Sequence, residues 1–148
     1  MNIRLALAAA VLLLSSAARA ADPGADFLAK AAKEKGATKT PSGLVYLSLK
    51  DGAGEKPSAS DTVKVNYKGT FTDGKVFDAS ETHGGPATFP LNQVIPCWTE
   101  GVGMMKVGGK ARLVCPARIA YGDSGRPPVI RGGVSLAFEV ELLEVVKK

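Results

Sequence analysis

The chain has 148 residues, enough for one domain and a short appendage, and its 45% apolar content is ordinary for a globular protein. Its formal charge of +5 comes from scattered Lys and Arg rather than a clustered basic stripe, which argues against a nucleic-acid surface. One histidine and two cysteines, at their spacings, cannot make a zinc site, so no metal is expected.

Residues 1–20 read as a removable signal peptide. Arg4 is a basic start, Leu5 to Leu14 an apolar run, and Ala18-Arg19-Ala20 a small-residue cleavage pattern. The run is too short to span a bilayer. No cysteine near the cut offers a lipid site, so no stable membrane anchor is expected. Cleavage removes two arginines and no acids, so +5 becomes +3. Export to the periplasm, or secretion, follows. In that oxidising setting Cys97 and Cys115 favour a disulfide; two buried thiols are the alternative.

Residues 21–42 are a short helix and linker. Asp26 is placed to cap a helix that stops at Gly36, and Pro41 falls in the linker. The helix has too few large apolar residues to bury much, so it is expected to dangle or pack loosely. From Gly43 the pattern has period two. Leu44, Tyr46 and Leu49 begin a strand; Val63, Val65 and Tyr67 alternate with Lys64, Asn66 and Lys68. Thr72-Asp73-Gly74-Lys75 predicts a two-residue type I′ hairpin. Val76 and Phe77 return, followed by Asp78 and a loop through Pro86.

Ile95, Trp98, Val102 and Met105 mark one face of a short helix with Pro96 first, weakened by Gly101 and Gly103. Ala111, Leu113 and Cys115 then face the core, with Lys110, Arg112 and Val114 opposite. A long loop covers 121–133. Leu136, Phe138, Val140 and Leu142 alternate with Ala137, Glu139 and Glu141 in the last strand. The fold class is therefore α+β, several antiparallel strands around one short helix.

No nucleophile motif, paired catalytic carboxylates or phosphate loop is present, and His83 reads as a solvated loop residue. What stands out is aromatic. Tyr67, Phe77, Trp98, Tyr121 and Phe138 lie on different elements, each on the interior side. Plain core is one reading and a pocket another. Asp78 beside Phe77, and Tyr121 beside Gly122 at a loop mouth, favour the pocket.

The segments VKVNYKGTFTDGKVFDAS (63–80), FPLNQVIPCWTEGVGMMKVGGKARLVCP (89–116), IAYGDSG (119–125) and VSLAFEVELLEV (134–145) resemble, in order and spacing, the FKBP-type peptidyl-prolyl cis-trans isomerases. The resemblance implies a curled antiparallel sheet of five to six strands wrapped around the short helix, with residues 43–148 as the isomerase domain. It makes Trp98 the pocket floor and Tyr67, Phe77, Val94, Ile95 and Phe138 its walls. Tyr121 offers a hydroxyl at the rim, Ile130 closes the loop side, and Asp78 is a buried polar member bonded to Tyr67. Ala87 stands where compact eukaryotic relatives have an aromatic, leaving one wall open.

The implied activity is non-covalent acceleration of Xaa-Pro rotation during folding of exported proteins, without a cofactor. Implied partners are proline-containing polypeptides and macrolide inhibitors of the rapamycin type. The alternative is a chaperone or adaptor that keeps the pocket and turns over poorly. Larger relatives dimerise through a long N-terminal helical domain; with about twenty mature residues before the linker, a monomer is expected. Several further positions depart from the family. Cys97 replaces a usual Gly, and with Cys115 on the facing strand it suggests a helix-to-sheet disulfide. Arg131-Gly132 replaces a common proline pair, which bears on Ile130. Arg126 adds positive charge near the rim and favours acidic substrates.

Overall fold

A computed structural model describes residues 23–146. The expected signal peptide, residues 1–20, lies outside them. In chain order the elements are helix α1 (Pro23–Ala32), strands β1 (Thr38–Lys39), β2 (Val45–Lys50), β3 (Thr62–Phe71), β4 (Val76–Ala79) and β5 (Ala87–Pro90), helix α2 (Pro96–Val102), and strands β6 (Lys110–Cys115) and β7 (Leu136–Val146). The strands form one sheet ordered β1-β2-β6-β7-β3-β4, with β5 also paired to β3. All pairings are antiparallel.

The sheet has seven strands rather than five or six. The additions are β1, inside the expected linker, and β5, too short to show its period clearly. β3 explains how both β4 and β5 fit. It pairs with β7 along its whole length, while its other edge is shared. Val65 and the residues before it meet β5, and Lys68 to Thr70 meet β4.

The concave face holds the main core. Val63, Val65, Ala111, Leu113, Leu136, Val140 and Leu142 are fully buried against Val102 and Cys97 of α2. Helix α2 is shorter than the apolar spacing suggests. Ile95 caps it, Pro96 opens it, and Met105 is buried just beyond its end. Seven residues cannot hold a helix alone, so contacts fix it. One is the disulfide Cys97–Cys115, with Cα atoms 5.9 Å apart, which ties its first turn to the end of β6. Another is the close approach of Gly101 to β6, where an added Cβ would lie 2.7 Å from Leu113 Cδ2.

The convex face carries a second, smaller core. Ala31 of α1 packs on Val45, Val114 and Ala137, ringed by Phe27, Leu28, Ala32 and Ala37. Arg112 adds two bonds of 3.1 Å to the Glu34 carboxylate. The helix is thus docked, against the expectation that it would dangle or pack loosely. Its small residues allow close approach to the sheet, and Val114 and Ala137, assigned to the outer face by alternation, are the apolar patch it covers. Asp26 is not its cap, because the helix starts at Pro23; it sits in the first turn, favourable to the helix dipole. The helix stops at Ala32, short of Gly36.

Two local features differ from simple alternation. Leu49 lies in β2 but is 42% exposed, beside the register shift between Ser48 and Lys50. The β3–β4 hairpin is not type I′. Only Gly74 has a positive φ, 89°, whereas type I′ needs two such residues. Gly74 N–H donates to Phe71 O and Phe71 N–H to Lys75 O, making a three-residue loop. The Asp73 carboxylate accepts from Lys75 N–H at 2.9 Å, which favours this turn.

Replacing both cysteines by alanine should lower unfolding free energy by about 3 kcal/mol, from the sequence separation of 18 that the bridge closes; urea unfolding of oxidised wild type and variant measures it. Gly101→Ala should also destabilise, by about 1–3 kcal/mol, although alanine is the better helix former. Leu113 is fully buried and cannot move aside. An unchanged urea midpoint would mean that the helix shifts outward instead.

Candidate functional site

Helix α2 sets Trp98 against the concave face with 5% of its surface exposed. Three rings meet the indole edge to face: Tyr67 of β3 at 5.3 Å between centroids, Phe138 of β7 at 5.5 Å and Phe89 of β5 at 5.6 Å. Phe77 of β4 meets Phe138 at 5.7 Å and Phe71 at 5.0 Å. Edge-to-face pairs are favourable beyond the area they bury, so four strands and one helix converge on a single aromatic box. Trp98 Nε1 is the one buried side-chain nitrogen or oxygen among the described residues without a hydrogen-bond partner.

Above the box lies a cavity of about 730 Å³. All ten residues expected in the pocket line it: Tyr67, Phe77, Asp78, Ala87, Val94, Ile95, Trp98, Tyr121, Ile130 and Phe138. The Val94-Ile95 segment is held by its own helix, as Ile95 O accepts from the N–H groups of Trp98 and Thr99. Thr99 Oγ1 anchors this turn further, donating to Leu91 O at 2.7 Å.

The loop side is closed by the 121–133 segment. Arg126 and Ile130 exchange two backbone hydrogen bonds, of 2.8 and 3.0 Å. Ile130 is left 3% exposed, despite the Arg131-Gly132 departure next to it, while Val129 at the tip is 56% exposed. The Arg126 guanidinium lies 6.0 Å from the Tyr121 ring centroid, within cation–π range. That fixes a positive charge on the rim.

One wall is polar. Tyr67 Oη donates to Asp78 Oδ2 at 2.8 Å. Ala79 N–H donates to Asp78 Oδ1 at 3.0 Å, and His83 Nε2 lies 2.8 Å from the same oxygen. Burial works to raise the Asp78 pKa, but hydrogen bonds to His83 and Tyr67, the nearby imidazole and the Ala79 amide together hold it below its ordinary value. Tyr67 is pushed up to about 12, first by burial and then by its bond to the Asp78 carboxylate. Ser80, buried behind this wall, accepts the Tyr67 N–H on its Oγ at 3.0 Å.

His83 is solvent-exposed, as a solvated loop residue should be, yet it is also bound to Asp78 and lines the cavity. Nothing in the local sequence marks it, because the contact arises from a 3-10 turn over Ser80–His83. Phe89 is a second omission. Ala87 and Phe89 do alternate with Thr88 and Pro90, but four residues are too few to separate strand from loop. Gln93, Pro127 and Val129 complete the lining. Among the described residues no group of three His, Cys, Asp or Glu side chains is placed to hold a metal ion.

The profile of FKBP-type peptidyl-prolyl cis-trans isomerases matches residues 53–143. An FKBP-type peptidyl-prolyl cis-trans isomerase FkpA of Aeromonas hydrophila is 52% identical over 124 residues, covering 84% of this chain and 46% of its own length. The FKBP-type 22 kDa peptidyl-prolyl cis-trans isomerase of Escherichia coli (strain K12) is 43% identical over 123 residues, covering 83% of this chain and 60% of its own. The chain thus spans about half the length of these curated relatives. The crystal structure of FkpA from Escherichia coli superposes with a TM-score of 0.82 at 46% identity, over 97% of this chain and 67% of that one. A peptidyl-prolyl cis-trans isomerase structure from Pseudomonas syringae pv. tomato gives 0.78 at 36% identity, over 84% and 91%.

The burial of Tyr67, together with its bond to Asp78, makes stability depend on alkaline pH. Folded Tyr67 keeps its proton to about 12, against an ordinary value of 10.0. Above pH 10 the unfolded chain therefore binds fewer protons, and stability falls as pH rises toward 12. Urea midpoints at about pH 9 and about pH 11 should differ less in Tyr67→Phe than in wild type. Tyr46, also raised by burial and by Asp51, is present in both and leaves a residual slope. An equal difference in the two proteins would show that Tyr67 ionises as it does in the unfolded chain.

Proposed function

Because the chain belongs to the FKBP-type peptidyl-prolyl cis-trans isomerase family, we propose that it accelerates rotation about Xaa-Pro bonds in exported polypeptides. The observation that carries this reading is the cavity over Trp98, walled by aromatic rings and edged by one hydrogen-bonded carboxylate. Export is supported by the pattern of residues 1–20 and by the Cys97–Cys115 disulfide, a bond that persists in oxidising compartments.

The reaction needs no covalent step. Unaided rotation of a peptide bond must overcome about 18–20 kcal/mol of amide resonance, and for Xaa-Pro it takes tens to hundreds of seconds. Planar resonance places negative charge on the carbonyl oxygen, which water solvates better than it solvates the twisted form. A pyrrolidine ring stacked on Trp98, among Tyr67, Phe77 and Phe138, leaves that water behind. Walls complementary to the twisted amide then lower the barrier by differential binding. Each tenfold in rate requires only about 1.4 kcal/mol. Tyr121 and the Val94-Ile95 backbone orient the flanking peptide. The carboxylate of Asp78, tied by Tyr67, His83 and Ala79, stays ionised and fixed at the edge of the apolar box. Arg126 on the rim favours acidic residues next to the proline.

The mature chain, residues 21–148, should accelerate isomerisation of a short Xaa-Pro peptide, and a macrolide of the rapamycin type should abolish the acceleration. Trp98→Leu and Phe138→Ala should each lower kcat/KM by about tenfold or more. Folded, oxidised protein that binds proline peptides without accelerating them would replace this reading with a peptide-binding chaperone.

A further inference from the structure

The three groups bonded to Asp78 differ in kind. Tyr67 and Ala79 belong to strands, and neither the phenol nor the amide changes its charge near neutral pH. The third is His83, whose side chain is 62% exposed against 37% for Asp78. Its exposure does not make it loose. The turn that carries it is pinned by buried Ser80, by Thr82 Oγ1 donating to Ala79 O at 2.6 Å, and by Gly84 and Gly85 N–H groups bonded back to Glu81 and Ser80. The imidazole is therefore held on the carboxylate by the backbone beneath it.

The titratable or charged groups lining the same cavity are Tyr67, Asp78, His83, Tyr121 and Arg126. Glu81 shares the turn of His83 and is exposed. Neither β5 nor α2 places a charged side chain in the lining. A guanidinium, phenols and carboxylates keep their charge between about pH 5.5 and 8; an imidazole is the side chain that changes there. It is also the only histidine in the chain.

We propose that His83 is a positioning residue of the pocket: protonated, it clamps the Asp78 carboxylate against Tyr67, and turnover falls as that proton is lost. The inference rests on the isomerase reading above. Protonated, the imidazole offers a charge-assisted bond, about twice as strong as a neutral one. Deprotonated, it presents either a neutral N–H or a lone pair to Asp78 Oδ1. The carboxylate then carries an unbalanced charge at the edge of an apolar box. It gains freedom to turn, and it repels the carbonyl oxygens of an entering peptide. Exposed pairs are screened by solvent, so the effect is modest, about two- to fivefold.

The test is kcat/KM of the oxidised mature chain on a peptide without ionisable side chains, from about pH 5.5 to 8 at constant ionic strength. Wild type should lose about two- to fivefold toward the alkaline end. His83→Arg, permanently charged, should stay flat at the acidic level. His83→Gln, permanently neutral, should stay flat at the alkaline level, and Asp78→Asn should abolish the dependence whatever its absolute rate. An active wild type with a flat profile overturns this proposal alone, as does a dependence that survives in His83→Gln. A wild type inactive at every pH overturns the isomerase reading and this inference with it.

Discussion

The seat of Trp98 is the constraint on which the rest of the site depends. Its indole meets rings from β3, β5 and β7, so its position fixes where those strands present their aromatic side chains. Yet it stands on a seven-residue helix containing Gly101. The tension is resolved outside the helix. The disulfide grips the residue before Trp98, Leu113 presses on Gly101 three residues later, and Thr99 ties the same turn to Leu91. Gly101 is thus weak in propensity and necessary in packing, because a side chain there would lift the helix from β6. The pocket floor is fastened to β6 by the disulfide and by the close approach at Gly101.

Against this apolar floor the polar wall follows different physics. A carboxylate bordering aromatic rings stays ionised only if its lone pairs are matched. Two donors, the Tyr67 hydroxyl and the Ala79 amide, and the His83 imidazole do this for Asp78. Two are permanent features of the strands. The third stands in solvent and responds to it. A pocket whose binding surface is preorganised can therefore still sense its surroundings through one exposed side chain, without moving a strand.

How much was legible in the sequence follows from how local each signal is. Period-two alternation placed the strands and the buried faces of β3, β6 and β7, and the family-like segments carried the named pocket residues except Ala87 and Ile130. Alternation also put Val114 and Ala137 on the far face, correctly. It could not say that a helix of small residues ahead of the first clear strand would cover them, since that pairing spans most of the chain. The Asp-Gly pair marked a turn, but the choice between two and three loop residues lay in the Asp73 side chain accepting from Lys75. The contact of His83 was illegible for a related reason. Its partner is five residues away, at no helical or strand period, across a turn that Ser80 fixes from beneath.

The shared edge of β3 has one more consequence. β4 leaves that edge at Ala79 and β5 joins it at Ala87, so the segment between them belongs to no strand ladder, and only side chains such as Ser80 and His83 tie it to β3 and β4. It crosses the mouth of the cavity at the one place where the sheet's border passes from one strand to another. Its exposed positions can vary without shifting the register of β3 or its ladder with β7. The scaffold thus carries at its entrance a segment anchored at Ser80 and His83, whose remaining exposed positions can change against incoming peptides while the ladder behind them stays the same.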